Sequence, residues 1–133
     1  MSKYDLNNNK AITGNLTRDP ELRFTSTGKA VTDIDVAVNI RNGDEEVTEF
    51  YKVTLWESLA TNIADSLKKG DRVVVVFYYK TEGWVDKEGN NRESEKHTAL
   101  ACGPELRWAT AKVTKNAKET KQPDEEVEDD VPF

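Results

Sequence analysis

Phe50, Lys52, Thr54 and Trp56 fall at every second position of the segment 47–56, Val-Thr-Glu-Phe-Tyr-Lys-Val-Thr-Leu-Trp. The segment is rich in β-branched and aromatic residues, which predicts a strand. In a strand, alternate side chains share a face. One face then carries Val47, Glu49, Tyr51, Val53 and Leu55, of which the last three suit a core. The other carries Thr48, Phe50, Lys52, Thr54 and Trp56, so two large rings flank an ammonium with small hydroxyls between them. At about 3.3 Å per residue the two rings stand roughly 20 Å apart. Two chemistries fit. Unstacked heterocycles could lie on the rings while Lys52 meets a phosphate, as a single polynucleotide strand would present them. Alternatively, the rings pack against another sheet or subunit.

Trp84 is a third aromatic of this kind, at the base of a charged hairpin with Lys80, Lys87 and Arg92 close in sequence. Three rings, each with a base within a few residues, form a pattern of stacking plus charge. Other chemistries find no constellation. With one histidine, His97, and one cysteine, Cys102, no zinc set is available, and no glycine-rich loop cradles a phosphate. Asp33 and Asp35 lie two apart on one strand face, which suits either a hard cation or a plain solvated surface. No catalytic residue, metal or cofactor is therefore expected. A lone cysteine, no apolar run long enough to span a membrane and no signal-peptide pattern lead to the expectation of a cytoplasmic protein.

The 133 residues suit one domain, but an apolar share of 36% beside a charged share of 33% leaves part of the chain without a core to join. The net charge of −6 comes from one end. Residues 124–133 hold six acids and no base, so 25 acids less six leaves 19, against 19 bases. A neutral body counts mildly against nucleic-acid binding unless stacking carries it. The acid run ends in Val131-Pro132-Phe133. An acid run alone means solubility. A terminal ring fixed by proline behind acids also makes a docking peptide, its phenylalanine filling an apolar pocket and its carboxylates meeting Arg or Lys.

The elements that must position these groups follow from periodicity. Residues 10–17 predict a first strand in which Gly14 marks a bulge or bend. Arg18-Asp19-Pro20-Glu21 predicts a turn, and 22–25 a short extended piece. Residues 30–40 alternate, with Ile34, Val36, Val38 and Ile40 on one face and Asp33, Asp35, Ala37 and Asn39 on the other. Asn42-Gly43-Asp44 predicts a hairpin turn into the 47–56 strand. Leu59, Ala60, Ile63, Ala64 and Leu67 recur at helical spacing, predicting a helix over 59–69 with Ser58 as its N-cap. Residues 72–80 are apolar on both faces, which predicts cover on both and hints at a second subunit. A hairpin loop over 86–91 and a last strand over 97–102 follow. Strands with a single helix before the fourth long strand predict an all-β OB-fold, a five-stranded Greek-key barrel with one short helix. The barrel domain is expected over 1–109, a flexible linker over 110–123 and a disordered acidic C-terminal tail over 124–133.

The ordered set of motifs resembles the bacterial-type single-stranded DNA-binding proteins, including phage-encoded members. Gly14-Asn15-Leu16-Thr17-Arg18-Asp19-Pro20-Glu21-Leu22-Arg23-Phe24 is similar to that family's opening motif. Residues 28–38 are similar to its second strand. Phe50-Tyr51-Lys52-Val53-Thr54-Leu55-Trp56, with Ala60, Leu67 and Lys69-Gly70, resembles its central strand and helix. Trp84-Val85-Asp86-Lys87-Glu88-Gly89 resembles the next hairpin, and Asp129-Asp130-Val131-Pro132-Phe133 its partner-docking tip. The resemblance implies Phe50, Trp56 and Trp84 as base-stacking rings. It implies Arg23, Lys52, Lys69 and Lys80 as bases near DNA, to which the hairpin adds Lys87. It also implies a homotetramer that wraps single-stranded DNA, and a tail that recruits replication, recombination and repair proteins. The chain departs from the family pattern at Tyr51, where a histidine is common, and at Phe77, where a glycine usually breaks the fourth strand. It departs again at Glu82-Gly83, where bases are usual, and at Asn39-Ile40-Arg41, where an aromatic is missing.

Overall fold

The computed structural model describes residues 9–117. Its elements are β1 (Asn9–Leu16), β2 (Arg23–Phe24), β3 (Ala30–Asn42), β4 (Glu45–Trp56), α1 (Glu57–Ser66), β5 (Arg72–Val85) and β6 (Asn91–Pro104). β1 pairs antiparallel with β5 from Asn9↔Tyr78 to Asn15↔Arg72, then hands its last two residues to β3 at Asn15↔Ala37 and Leu16↔Val36. β3 and β4 form a twelve-pair hairpin, and β4 meets β6 in parallel at Thr54↔Thr98. β5 and β6 form a second long hairpin. The five long strands therefore close in the order β1-β3-β4-β6-β5-β1, the OB-fold barrel. β2 is a two-residue addition beside the start of β3.

The alternation read along the strands sets the core. Ile34, Val36, Val53, Leu55, Val73, Val75 and Phe77 are all fully buried inside the barrel. Ala60 and Ile63 of α1 plug its end together with Leu67. The second apolar face of β5 is only half covered by this chain: Val74, Val76 and Tyr78 remain partly open.

Several local expectations are corrected. Gly14 makes no bulge, because β1 runs past it in unbroken register with β5. A Cβ there would stand 2.3 Å from the Ala37 carbonyl oxygen and 2.8 Å from Val36 Cγ1. The glycine is needed where β1 crosses from one partner to the other and backbones nearly touch. The irregularity lies in β6 instead, where Val76 faces Ala101 and Phe77 faces Ala99, leaving Leu100 as the extra residue. The helix starts two residues early and stops three short of Lys69. Ser58 is no N-cap: Trp56 occupies that position, and no side-chain cap bond is made. β4 runs into α1 without a loop, and Glu57 absorbs the reversal at φ +56°. That left-handed conformation strains a residue with a Cβ. In the β3–β4 turn, Asn42 pairs with Glu45, and Gly43 takes φ +69° as the first of two central residues, the place where a type II′ turn wants glycine. Asn9, one residue before the predicted first strand, opens β1. β5 and β6 extend well beyond 80 and 97, so Trp84 sits inside a strand opposite Arg92. The expected linker overlaps the described residues only at 110–117, which are exposed and form no element. The acidic tail and its docking tip, Asp129 to Phe133, lie outside the described residues.

Candidate nucleic-acid interface

The outward face of the β3–β4 hairpin is a ladder of facing pairs: Val31 with Trp56, Asp33 with Thr54, Asp35 with Lys52, and Ala37 with Phe50. Alternation puts all eight on one side. Phe50 is 71% exposed and Trp56 41%, so neither ring is spent on this chain's core. Around them lies a groove of about 770 Å³. Val31, Asp33, Phe50, Lys52, Thr54 and Trp56 make its floor. Arg23, Phe24 and Thr25 rise on one side. Tyr78, Lys80 and Glu82 of β5, with Lys96, His97 and Thr98 of β6, rise on the other.

The fold thus brings Arg23, Phe50, Lys52, Trp56 and Lys80 around one groove. It does not bring Lys69, Trp84 or Lys87 there. Lys69 lies in the turn after α1, where its backbone N–H donates to Asp19 Oδ1 at 2.8 Å. Lys87 is in the β5–β6 loop. That loop is organised by Asp86, whose Oδ1 accepts from the N–H groups of Glu88 and Asn90 and whose Oδ2 accepts from Arg92 Nε at 2.8 Å. The hydrogen bond from Arg92, with those backbone bonds, holds the Asp86 carboxyl below the usual range. Trp84, 49% exposed, stands further out along the ribbon. By alternation it shares a face with Tyr78, Lys80 and Glu82, so it continues the groove wall outward.

Phe24, Tyr78, Lys96 and Thr98 are among the groove residues that sequence pattern does not single out. Phe24 is 64% exposed and pairs with Ala30. Its signal was its place beside Arg23 in an extended piece. Lys96 and Thr98 reach the groove only through the single parallel pairing of β6 with β4, which no local pattern announces. His97 packs against Phe77 with centroids 5.0 Å apart and against Tyr51 at 6.2 Å, and its Nε2 meets Glu95 Oε1 at 2.9 Å. Tyr51 donates its hydroxyl to Glu49 Oε1 at 3.0 Å, and that bond pushes its phenol up.

The groove's charge is nearly balanced. Arg23 Nη2 lies 3.2 Å from Asp33 Oδ2, and Lys96 Nζ lies 4.0 Å from Glu82 Oε1. Lys52 and Lys80 have no acidic partner within ion-pair distance among the described residues. Partial burial pushes the Asp33 carboxyl up. Hydrogen bonds from Thr54 and Arg23, with the charges of Arg23 and Lys52, outweigh it and hold Asp33 below the usual carboxylate range. Asp35 is taken up by Arg18. Each aspartate of the imagined cation pair is therefore matched to an arginine, and no cluster of three or more metal-ligating side chains exists among the described residues. Burial pushes the Cys102 thiol up to about 12, so it is a packed hydrophobe rather than a nucleophile. What the groove offers is open ring faces at intervals, two unpaired ammonium groups and hydroxyls. It suits a flexible ligand carrying flat heterocycles and spaced anions.

Comparison with known proteins supplies independent findings. Residues 7–102 match the single-strand binding protein family. The chain is 36% identical over 118 residues to a single-stranded DNA-binding protein of Paenarthrobacter nicotinovorans, covering 84% of this chain and 69% of that one. It is 40% identical over 114 residues to the protein of the same name from Mycobacterium leprae, covering 80% and 68%. The corresponding figures for Mycolicibacterium smegmatis are 39% over 114 residues, covering 80% and 69%.

Proposed function

The chain belongs to the single-strand binding protein family, and from that premise we propose that its groove binds single-stranded DNA with little sequence preference. The observation that carries this reading is the pair of exposed rings, Phe50 and Trp56, flanking Lys52 on the floor of one groove. Every base has a π-face, so stacking discriminates little between sequences. It does require bases freed from a duplex, which selects single strands. Phe24 and Trp84 extend the stacking track to either side, while Lys52 and Lys80 meet phosphates; Arg23 and Lys96 stand at the rims. Lys69 and Lys87 lie off the groove and would touch only DNA that leaves it. The activity is binding, without a chemical step.

The wider role is a scaffold for replication, recombination and repair proteins, which the acidic tip Asp129-Asp130-Val131-Pro132-Phe133 would recruit. A homotetramer would cover the half-open face of β5, and the cytoplasm is the expected location. Deleting the tip should abolish partner recruitment and leave DNA affinity intact or higher, because its carboxylates compete with phosphate.

The test is a titration of intrinsic tryptophan fluorescence with oligo-dT at low salt. Stacking on Trp56 and Trp84 should quench emission at sub-micromolar protein. An unchanged signal would end this reading.

A further inference from the structure

Between the rows that hold Trp56 and Phe50, the groove floor presents a carboxylate. Asp33 faces Thr54 in register, one same-face step from the Val31–Trp56 row. Its Oδ1 accepts from Thr54 Oγ1 at 2.6 Å and its Oδ2 from Arg23 Nη2 at 3.2 Å. We propose that Asp33 biases the groove toward bases bearing an amino group, cytosine above thymine, an inference that rests on the groove being the single-stranded DNA site.

The argument is one of donors and acceptors. An ionised carboxylate has about four lone-pair sites and no hydrogen to give. Two are filled by Thr54 and Arg23, and the rest are available where the side chain lines the groove. Thr54 spends its hydroxyl hydrogen on Asp33, so it too turns only lone pairs outward. A base lying on Trp56 extends over this pair, since same-face neighbours in a strand stand about 7 Å apart. Its edge must therefore bring an N–H. Cytosine brings its N4 amino group, a donor that aspartate commonly accepts. Thymine brings carbonyl oxygens on either side of its one N–H, and these the carboxylate repels. The other acids that line the groove stand on its wall, where Glu82 faces Lys96 and Glu95 faces His97. The nearby Asp35 is held by Arg18. Asp33 is thus the acceptor set beneath the stacked bases, and its carboxyl stays ionised well below neutral pH.

The experiment compares affinities for oligo-dC and oligo-dT in the full-length protein and in Asp33→Asn. The variant amide can turn its NH2 group toward thymine, so the dC-to-dT affinity ratio should fall by about three- to tenfold, the range of one directed hydrogen bond to a base edge. Arg23→Ala keeps the carboxylate and should weaken both oligonucleotides in equal proportion. A ratio shift there as large as in Asp33→Asn would assign the effect to the ion pair and overturn the proposal. Should Asp33→Asn not fold, the unaltered protein decides alone. An oligonucleotide of 2-pyrimidinone, which is cytosine without its amino group, should bind about three- to tenfold more weakly than oligo-dC. Equal binding of the two, or an unchanged ratio in folded Asp33→Asn, would refute a base-reading role while leaving the groove intact. No binding of any oligonucleotide at low salt would overturn the groove reading and this one with it.

Discussion

Salt dependence follows from the pairing of charges in the groove. Four cationic side chains line it, Arg23, Lys52, Lys80 and Lys96. Two of them already face acids, Arg23 with Asp33 and Lys96 with Glu82. A phosphate that approaches either one also meets its carboxylate, so little net counterion release comes from those two. Lys52 and Lys80 remain. For single strands each neutralised phosphate contributes about −0.7 to the slope of log K against log salt, so two give about −1.4 per occupied groove. Affinity should then fall about sevenfold between 50 and 200 mM salt. Lys80→Ala should flatten the slope by about 0.7, and Glu82→Gln, which frees Lys96, should steepen it by about 0.7. The assay is tryptophan quenching by a short oligo-dT across that salt range, with both variants beside the parent. Bases outside the groove add equally to all three proteins, so the differences carry the test. A Glu82→Gln slope identical to the parent's would refute the claim that paired cations are silent.

Further outcomes are expected. Trp56→Ala should weaken oligo-dT binding by about 1–3 kcal/mol with the fold unchanged, as titration and circular dichroism would show. Gly14→Ala forces a Cβ to 2.3 Å from the Ala37 carbonyl oxygen, and denaturant unfolding should show a loss of about 3 kcal/mol, the upper end for overpacking. Glu57→Gly relieves a left-handed backbone at φ +56°. Relief of about 1–2 kcal/mol, less the entropy glycine gives up, should raise stability by about 0.5–1 kcal/mol in the same measurement. Asp33 has a folded-state carboxyl held below its ordinary value of 3.8. Its contribution to stability is therefore complete above that value and is lost as pH falls through the lower folded one. The melting-temperature gap between the parent and Asp33→Asn should be constant near neutrality and close below about pH 3.8.

Much of the molecule was legible from alternation alone. The period of two along 30–40 and 47–56 separated Ile34, Val36, Val53 and Leu55, which are buried, from Phe50, Lys52 and Trp56, which are open. That pattern is local, since successive side chains must point to opposite faces whatever the rest of the chain does. The helix was found by its 3.6-residue spacing, but its ends were misplaced, because Glu57 starts it through a strained backbone angle rather than a capping side chain. Gly14 stands out within a strand pattern, yet its reason is a β3 carbonyl more than twenty residues away. The groove's far wall was invisible for the same cause. Thr98 faces Thr54, and Lys96 joins the groove, only after the barrel closes and β6 slides beside β4 in parallel. Local alternation settles which face each side chain takes and which rings stay out of the core. Tertiary structure alone decided which of the exposed rings and charges share a groove, and which cations are silenced by acids from another strand. Facing is set by bonds between neighbours in the chain, whereas companionship in a groove is set by closure between segments that the chain keeps far apart.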